Sequence, residues 1–398
     1  RIPIISRAAM LAELMRFREG IAVAGTHGKT TTSGMIATLL RAAGRDPSFV
    51  IGGQLNQFKV FAHAGSGDHL VAEADESDAS FLHLMPMIAV VTNIDRDHMA
   101  TYHGELDRLH TTFIEFVHNL PFYGLAVVCG DDFGVQSILT RLERPVITYG
   151  LDDGVDIRAV NLRQDGLQAR FEVLRQDSTP LAVTLRVPGE HNVLNALAAI
   201  AIATDLKIDD QAIQQGLFDF AGMGRRFELR GDVAVGNGEA TFIDDYAHHP
   251  AEIAATLKAA REAFPDRRQV VIFQPHRYSR TEELLDDFAH ELSSADLLFI
   301  TDVYAANEKL AQGSDSRALI KAIRRRGQNE PIFVGDVTAI AKTLRPLLQA
   351  DDVVLTLGAG DIGRVAATLP EQLQKPLVEA KSTDSSTKKS NVSVLKRV

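Results

Sequence analysis

The stretch AVAGTHGKTTTSGMIATLL, residues 22–40, sets a Gly-rich turn between an apolar run and a helical pattern. Such a junction aims several backbone N–H groups and a helix N-terminus at one point, which suits an anion. Gly25, Thr26, His27, Gly28, Lys29, Thr30 and Thr31 make up the turn. Lys29 would add charge for outer phosphates, and the Thr30 hydroxyl could ligate Mg²⁺. The strict phosphate-loop pattern has about four residues between its first Gly and the Gly-Lys pair; Gly25 and Gly28 enclose only two. A tight strand-to-helix turn with a surface lysine is the competing reading.

Other polar clusters also end apolar runs. HLVAEADESDASF places Glu73, Asp75, Glu76 and Asp78 where an acid at a neighbouring strand tip would complete a Mg²⁺ shell; a solvated acidic loop is the alternative. VTNIDRDHMATY carries His98, a ligand candidate because open α/β sheets bind ligands at the carboxyl ends of their strands. Further on, FIDDYAHHP and FQPHRYSRT each follow an apolar run. The second concentrates His276, Arg277 and Arg280, donors suited to a carboxylate or phosphate. Positive charge at a helix start opposes the helix dipole and asks for an anion to offset it. GAGDIG, residues 358–363, matches a dinucleotide fingerprint but lacks the downstream unit that would use it, so it reads as a tight turn, possible neighbour to substrate.

The elements that must hold these clusters are legible in outline. Apolar runs at 20–25, 69–74, 87–94 and 124–130 alternate with helical patterns at 29–43 and 105–118, which implies a parallel α/β sheet. Little period-two alternation means strands buried on both faces. Residues 150–187 alternate apolar and polar with turns at Asp165-Gly166 and Ser178-Thr179-Pro180, predicting antiparallel hairpins in a small attached subsheet. An Ala-rich helix follows. A second α/β block begins near 225, with strands in ATFIDDY, QVVIFQP, DLLFITDV, PIFVGD and DVVLTLGAG and helices at 250–263 and 281–293. The boundary is expected at FAGMGRRF, residues 220–227. At the start, RIPIISRAAMLAELMR reads as a short apolar strand entering an amphipathic helix; from 371 the chain is polar and expected to be disordered.

A chain of 398 residues exceeds a single core. With 45% hydrophobic and 24% charged residues it has the composition of a globular protein. The net charge of −10 argues against nucleic-acid binding, which depends on cations. Cys129 is the single cysteine, so an intrachain disulfide or cysteine metal cluster is excluded and a reducing cytoplasm is expected. No run approaches the roughly 18 uncharged apolar residues of a membrane span.

GTHGKTTT, EADESDASF, TNIDRDH, GEHNVLNALAA, GMGRRFE, DDYAHHP and PHRYSRT occur in an order and spacing that resemble the Mur ligases, over about residues 1–370. EADESDASF and PHRYSRT point to the branch that acts on UDP-N-acetylmuramate and L-alanine. The resemblance implies a compact G-T-x-G-K-[ST] loop, which accounts for the short spacing. It also implies an ATP-dependent ligation through an acyl phosphate, and a central parallel-sheet P-loop ATPase domain with a small antiparallel subsheet, followed by a Rossmann-like C-terminal α/β domain. Carried over by motif, Gly25–Thr31 hold phosphates, with Lys29 among the catalytic groups. Thr30 and Glu73 would take one Mg²⁺ and His98 a second, Mn²⁺ being an alternative. Asn195 would read adenine, Arg226 contact phosphate and Asp245 reach ribose. Tyr246, His248, His276, Arg277 and Arg280 would position the muramate carboxylate and alanine. The amine proton could pass to His248, solvent or phosphate oxygen. A carbamylated lysine found in sister ligases is expected to be absent, since residues 99–118 contain no Lys.

The implied division is an entry helix at 1–19, a central domain at 20–223, a C-terminal domain at 224–370 and a tail at 371–398. The family's UDP-binding domain, with its Gly-rich loop, finds no counterpart before residue 20, so the expectation is that it is missing from this chain. The implied partners are small molecules only, without nucleic acid or membrane, in a monomer or homodimer. Two rivals stay open: a P-loop phosphotransferase that stops at phosphoryl transfer, and a fragment that only binds nucleotide.

Overall fold

The computed structural model describes residues 4–309, 314–327 and 329–375. The chain builds two sheets. The first takes β1 (Glu19–Ala24), β2 (Ser48–Leu55), β3 (Val60–His63), β4 (His69–Glu73), β5 (Ile88–Val91), β6 (Leu125–Cys129), β7 (Val146–Gly150), β8 (Ile157–Asp165), β9 (Gln168–Arg175) and β10 (Leu181–Leu185). Their spatial order is β10-β9-β8-β7-β6-β5-β1-β4-β2-β3. The run from β8 to β2 is parallel, while β3, β9 and β10 pair antiparallel at the two edges.

The β1 residues Gly20–Ala24 are all buried, without alternation, as both faces require in a covered parallel strand. One face packs on the helices Lys29–Ala42 and Glu190–Asp205, with Met35, Leu39, Leu197 and Ile200 in one core. The other packs on Arg7–Met15 and Leu106–His118, around Phe81, Phe113 and Phe116. The Ala-rich helix is buried nearly all round, so its small side chains let it sit close to both the sheet and the phosphate-loop helix.

The second sheet takes β11 (Glu228–Val235), β12 (Gly238–Asp245), β13 (Gln269–Phe273), β14 (Leu297–Thr301), β15 (Ile332–Gly335) and β16 (Val353–Leu357), in the order β11-β12-β16-β13-β14-β15. Only β11 is antiparallel. Separate cores cover its faces, one around Phe273, Phe288 and Leu319 and the other around Phe299, Ile340 and Leu369.

The α/β expectation holds, with differences in detail. The antiparallel hairpins β8–β10 are attached as expected and are continuous with the main sheet, because β7 and β8 carry on the parallel ladder through Tyr149–Ile157 and Gly150–Arg158. Residues 4–6 are not a strand: Ser6 caps the helix Arg7–Met15, its hydroxyl accepting from Ala9 N at 3.1 Å, while residues 1–3 lie outside the described part. The expected helix at 281–293 is two, Tyr278–Glu283 and Leu285–Leu292, meeting at Leu284. The expected disordered tail begins too early, since helix Ile362–Gln374 buries Leu369, Pro370 and Leu373 against the second sheet; 376–398 lie outside the described residues. The hairpin β2–β3 escaped notice because Gly52 and Gly53 interrupt its apolar run.

Candidate active site

β1 and its neighbour β5 send the chain to opposite sides, β1 toward β2 and β5 toward β6, so a crevice opens between their carboxyl ends. The loop from Gly25 to Gly28 fills that position. Gly25 and Gly28 have φ of 131° and 84°, which favours glycine. A Cβ on Gly25 would run into Thr92 Oγ1, and one on Gly28 would come within 2.5 Å of Asn195 Oδ1. Helix Lys29–Ala42 starts directly after, leaving its first N–H groups free for an anion.

The loop's own charge is already matched. Lys29 Nζ donates to Gly25 O at 2.5 Å, Thr26 O at 3.1 Å and Glu76 Oε1 at 3.0 Å. Glu76 is buried, which raises its pKa, and Lys29 opposes that rise. The Thr30 hydroxyl donates to Glu73 Oε1 at 2.7 Å, and Gly52 N donates to the other Glu73 oxygen. His98 has φ 53°, with Nε2 3.4 Å from Asp97 Oδ2. Burial lowers the His98 pKa against the pull of Asp97, keeping a neutral imidazole available as a ligand.

The second sheet presents β12, β13 and β16 on a common edge. His248 Nδ1 lies 3.0 Å from Tyr246 O, and its ring meets His276 edge-on at 5.7 Å. His276 stacks on Tyr304 at 5.5 Å. Burial lowers both histidines to about 4. Arg277, with φ 70°, opens the helix Tyr278–Glu283. GAGDIG is the turn from β16 into the last helix: Gly358 N donates to Asp245 O at 3.2 Å, and its carbonyl accepts from Arg225 Nη2 at 2.5 Å.

The two edges face each other. A cleft of about 720 Å³ is lined by Lys29, Thr30, Glu73, Glu76 and His98 from the first and by Arg226, Tyr246, His248, His276, Arg277 and Arg280 from the second. Arg280 Nη2 reaches both Asp97 oxygens, at 3.1 and 3.2 Å. Burial would raise the Asp97 pKa, but Arg280 and His98 bring it to about 2. A second bridge joins His27 Nδ1 to Glu252 Oε1 at 3.2 Å, while His27 Nε2 lies 3.6 Å from Asp95 Oδ2. Burial would lower His27, yet Asp95 and Glu252 raise it to about 9.

Beside this cleft, a narrower one of about 230 Å³ is lined by Gly28, Thr31, Asn195, Arg226, Asp245 and neighbours. Asn195 Oδ1 accepts from Thr32 Oγ1 at 3.0 Å, and its amide nitrogen donates to Asn192 Oδ1 at 3.3 Å. Asp245 accepts from Phe227 N at 2.7 Å and Ala247 N at 2.8 Å; burial raises its pKa to about 6. Thus most of the phosphate-loop, acidic, basic and Asn195 residues singled out in the sequence come to two adjoining clefts, while Gly25, Thr26 and Asp78 line neither. Sequence reasoning missed Asp95, Asp97, Glu252 and Tyr304. Asp97 adjoins His98, and Glu252 stands three residues after His249 at a helix start, the spacing of a capping box; the pairing of Tyr304 with His276 had no local signal.

Two family signatures match: the Mur ligase middle domain over residues 23–203, and the Mur ligase glutamate ligase domain over 225–360. The UDP-N-acetylmuramate–L-alanine ligase of Methylococcus capsulatus is 57% identical over 373 residues, spanning 94% of this chain and 79% of the relative. Among solved structures, the UDP-N-acetylmuramate–alanine ligase of Thermotoga maritima superposes with TM-score 0.78 at 29% identity, over 92% of this chain and 79% of the other. A murein peptide ligase of Psychrobacter arcticus gives 0.67 at 28%, over 93% and 80%.

Proposed function

The chain belongs to the Mur ligase family, and we propose that it joins L-alanine to the lactyl carboxylate of UDP-N-acetylmuramate at the expense of ATP, in peptidoglycan precursor synthesis. The observation that carries this reading is the shared cleft, where a phosphate loop and a basic cluster from different sheets confront each other. A phosphotransferase without an amide-forming step would have little use for the second edge.

A carboxylate is a poor electrophile. Its oxygen attacks the γ-phosphorus of ATP, the bond to ADP breaks, and an acyl phosphate results. The alanine nitrogen then adds to the acyl carbon, giving a tetrahedral oxyanion that collapses to the amide as phosphate leaves. Both steps crowd negative charge, so cations positioned beforehand are the main catalytic resource. Lys29 and the loop N–H groups would hold the phosphates, with Asn195 at adenine, Arg226 at phosphate and Asp245 at ribose. His276, Arg277 and Arg280 would hold the reacting carboxylate and alanine.

Thr30 and Glu73 offer oxygen donors that fit one Mg²⁺ completed by phosphate oxygens, and His98 offers a neutral imidazole to a second. When bound, the ions would neutralise charge on the transferring phosphoryl group. We assign the amine proton to the departing phosphate oxygen. Even a phosphate ester takes up its second proton near pH 6, and free phosphate is more basic, whereas His248, lowered to about 4 by burial, is a weaker base. His248 would then position the nucleophile. We place the division between the two catalytic units within residues 220–227, where the second family signature begins at 225.

The test is phosphate release from ATP with UDP-N-acetylmuramate, with and without L-alanine. Release that requires both acceptors is expected. Release indifferent to alanine would overturn the ligase reading.

A further inference from the structure

His27, Asp95 and His249 converge at the joint between the two sheets, where each can offer one ligand atom and all three atoms lie within 4.8 Å of one another. His27 comes from the phosphate loop, Asp95 from the segment after β5, and His249 from the residue preceding helix Pro250–Ala263. His249 is only 6% exposed, and beyond a capping contact of its side chain with the backbone of Glu252 its ring nitrogens have no hydrogen-bond partner. Buried polar atoms in folded proteins are nearly always paired, so an imidazole left this way calls for a ligand.

His27 Nε2 also lacks a hydrogen-bond partner and points toward Asp95 Oδ2, 3.6 Å away. On the far side of the same ring, Nδ1 is 3.2 Å from Glu252 Oε1. A carboxylate behind one ring nitrogen, with the other directed inward, is the arrangement that orients metal-binding histidines and fixes their tautomer.

We propose that His27, Asp95 and His249 form a binding site for a zinc-class divalent cation, separate from the magnesium positions, which ties the two units together. Two imidazole nitrogens and one carboxylate oxygen suit a borderline ion such as Zn²⁺ or Co²⁺, whereas Mg²⁺ favours sites dominated by oxygen, such as those completed by substrate phosphates. Ligand bonds of about 2.0–2.2 Å require the three side chains to draw in slightly. A proton leaves His27 Nε2 as the ion binds. The fourth position stays open to water or a ligand. Because His249 and the other two ligands sit on opposite sides of the joint, the ion would hold the cleft walls at a set separation.

The experiment titrates the full chain with Co²⁺ under excess Mg²⁺, which occupies sites of oxygen donors, and reads the visible absorption of four-coordinate cobalt. One Co²⁺ per chain with that absorption is expected. His249→Ala should abolish the band, and His249→Cys should restore it with an added thiolate-to-cobalt transition in the near ultraviolet. Glu252→Gln, which removes the group behind His27, should weaken Co²⁺ binding about 10–100-fold. The single native cysteine, Cys129, is buried and cannot supply that transition in the wild type. A spectrum of hydrated six-coordinate cobalt only, or an unchanged band and affinity in His249→Ala, would overturn the proposal.

Discussion

The two edges of the cleft solve the problem of buried charge differently. On the first sheet, Lys29 pairs with Glu76 and Thr30 with Glu73, so the phosphate edge carries its own counter-groups. On the second, Arg280 pairs across the cleft with Asp97, and Glu252, which also meets Arg226 and His248 of its own unit, reaches across to His27. The first edge is thus organised by local folding, while the second is completed by the meeting of two units. Carboxylates of the protein stand beside the cations that substrate anions would engage, which lowers the cost of holding positive charge before substrate arrives.

The sharpest way to break this contrast is Lys29→Ala. Turnover should fall by at least about 10²–10³-fold, the usual cost of removing one oxyanion-stabilising donor, measured as alanine-dependent phosphate release. The same change leaves Glu76 buried without its cation, costing about 3–5 kcal/mol by denaturant unfolding. Adding Glu76→Gln should recover much of that stability without recovering turnover; recovery of both would remove Lys29 from the chemistry.

Arg280→Lys tests the edge that depends on its partner. It retains charge but loses the guanidinium Nη2 that reaches both Asp97 oxygens. A loss of about 1–2 kcal/mol of stability is expected, with the Asp97 pKa, followed by NMR, rising from about 2 toward its ordinary value. An unmoved pKa would show that the pair is not formed.

The His27 bridge has a pH signature. Its folded pKa is raised from 6.5 to about 9, so its contribution is complete below about pH 6.5 and disappears as pH rises through about 9. The shift corresponds to something on the order of 3 kcal/mol. The stability difference between wild type and His27→Asn should therefore shrink across that interval; a constant difference would refute the bridge.

His248→Gln should lower kcat by less than about 10-fold and leave the pH–rate profile in place, as expected of a positioning group whose pKa lies outside the neutral range. Loss of a titrating limb near neutrality would instead make it the proton acceptor. Smallest of all, Lys258→Ala breaks an exposed pair with Glu190 across the same two units. It should change stability by about 0.5 kcal/mol or less, marking the background against which the buried bridges are judged.

The order of strands and helices, the phosphate loop, and most of the groups lining both clefts were legible along the chain, because each motif ends an apolar run and a parallel sheet brings all such ends to one edge. Gly25 and Gly28 announced a backbone that other residues would strain. The gaps came where local pattern is weak: Gly52 and Gly53 obscured β2, and the helix Ile362–Gln374 contains Pro370 and runs into a polar segment.

What the sequence alone determined was therefore which chemistry each strand end could perform, since that depends on residue type and spacing within a few positions. Only the tertiary structure decided which ends meet. Asp97 is 183 residues from Arg280, and His27 is 225 from Glu252. Nothing in the local pattern of either partner specifies the other; both pairs exist because two separately packed sheets turn their carboxyl edges toward each other.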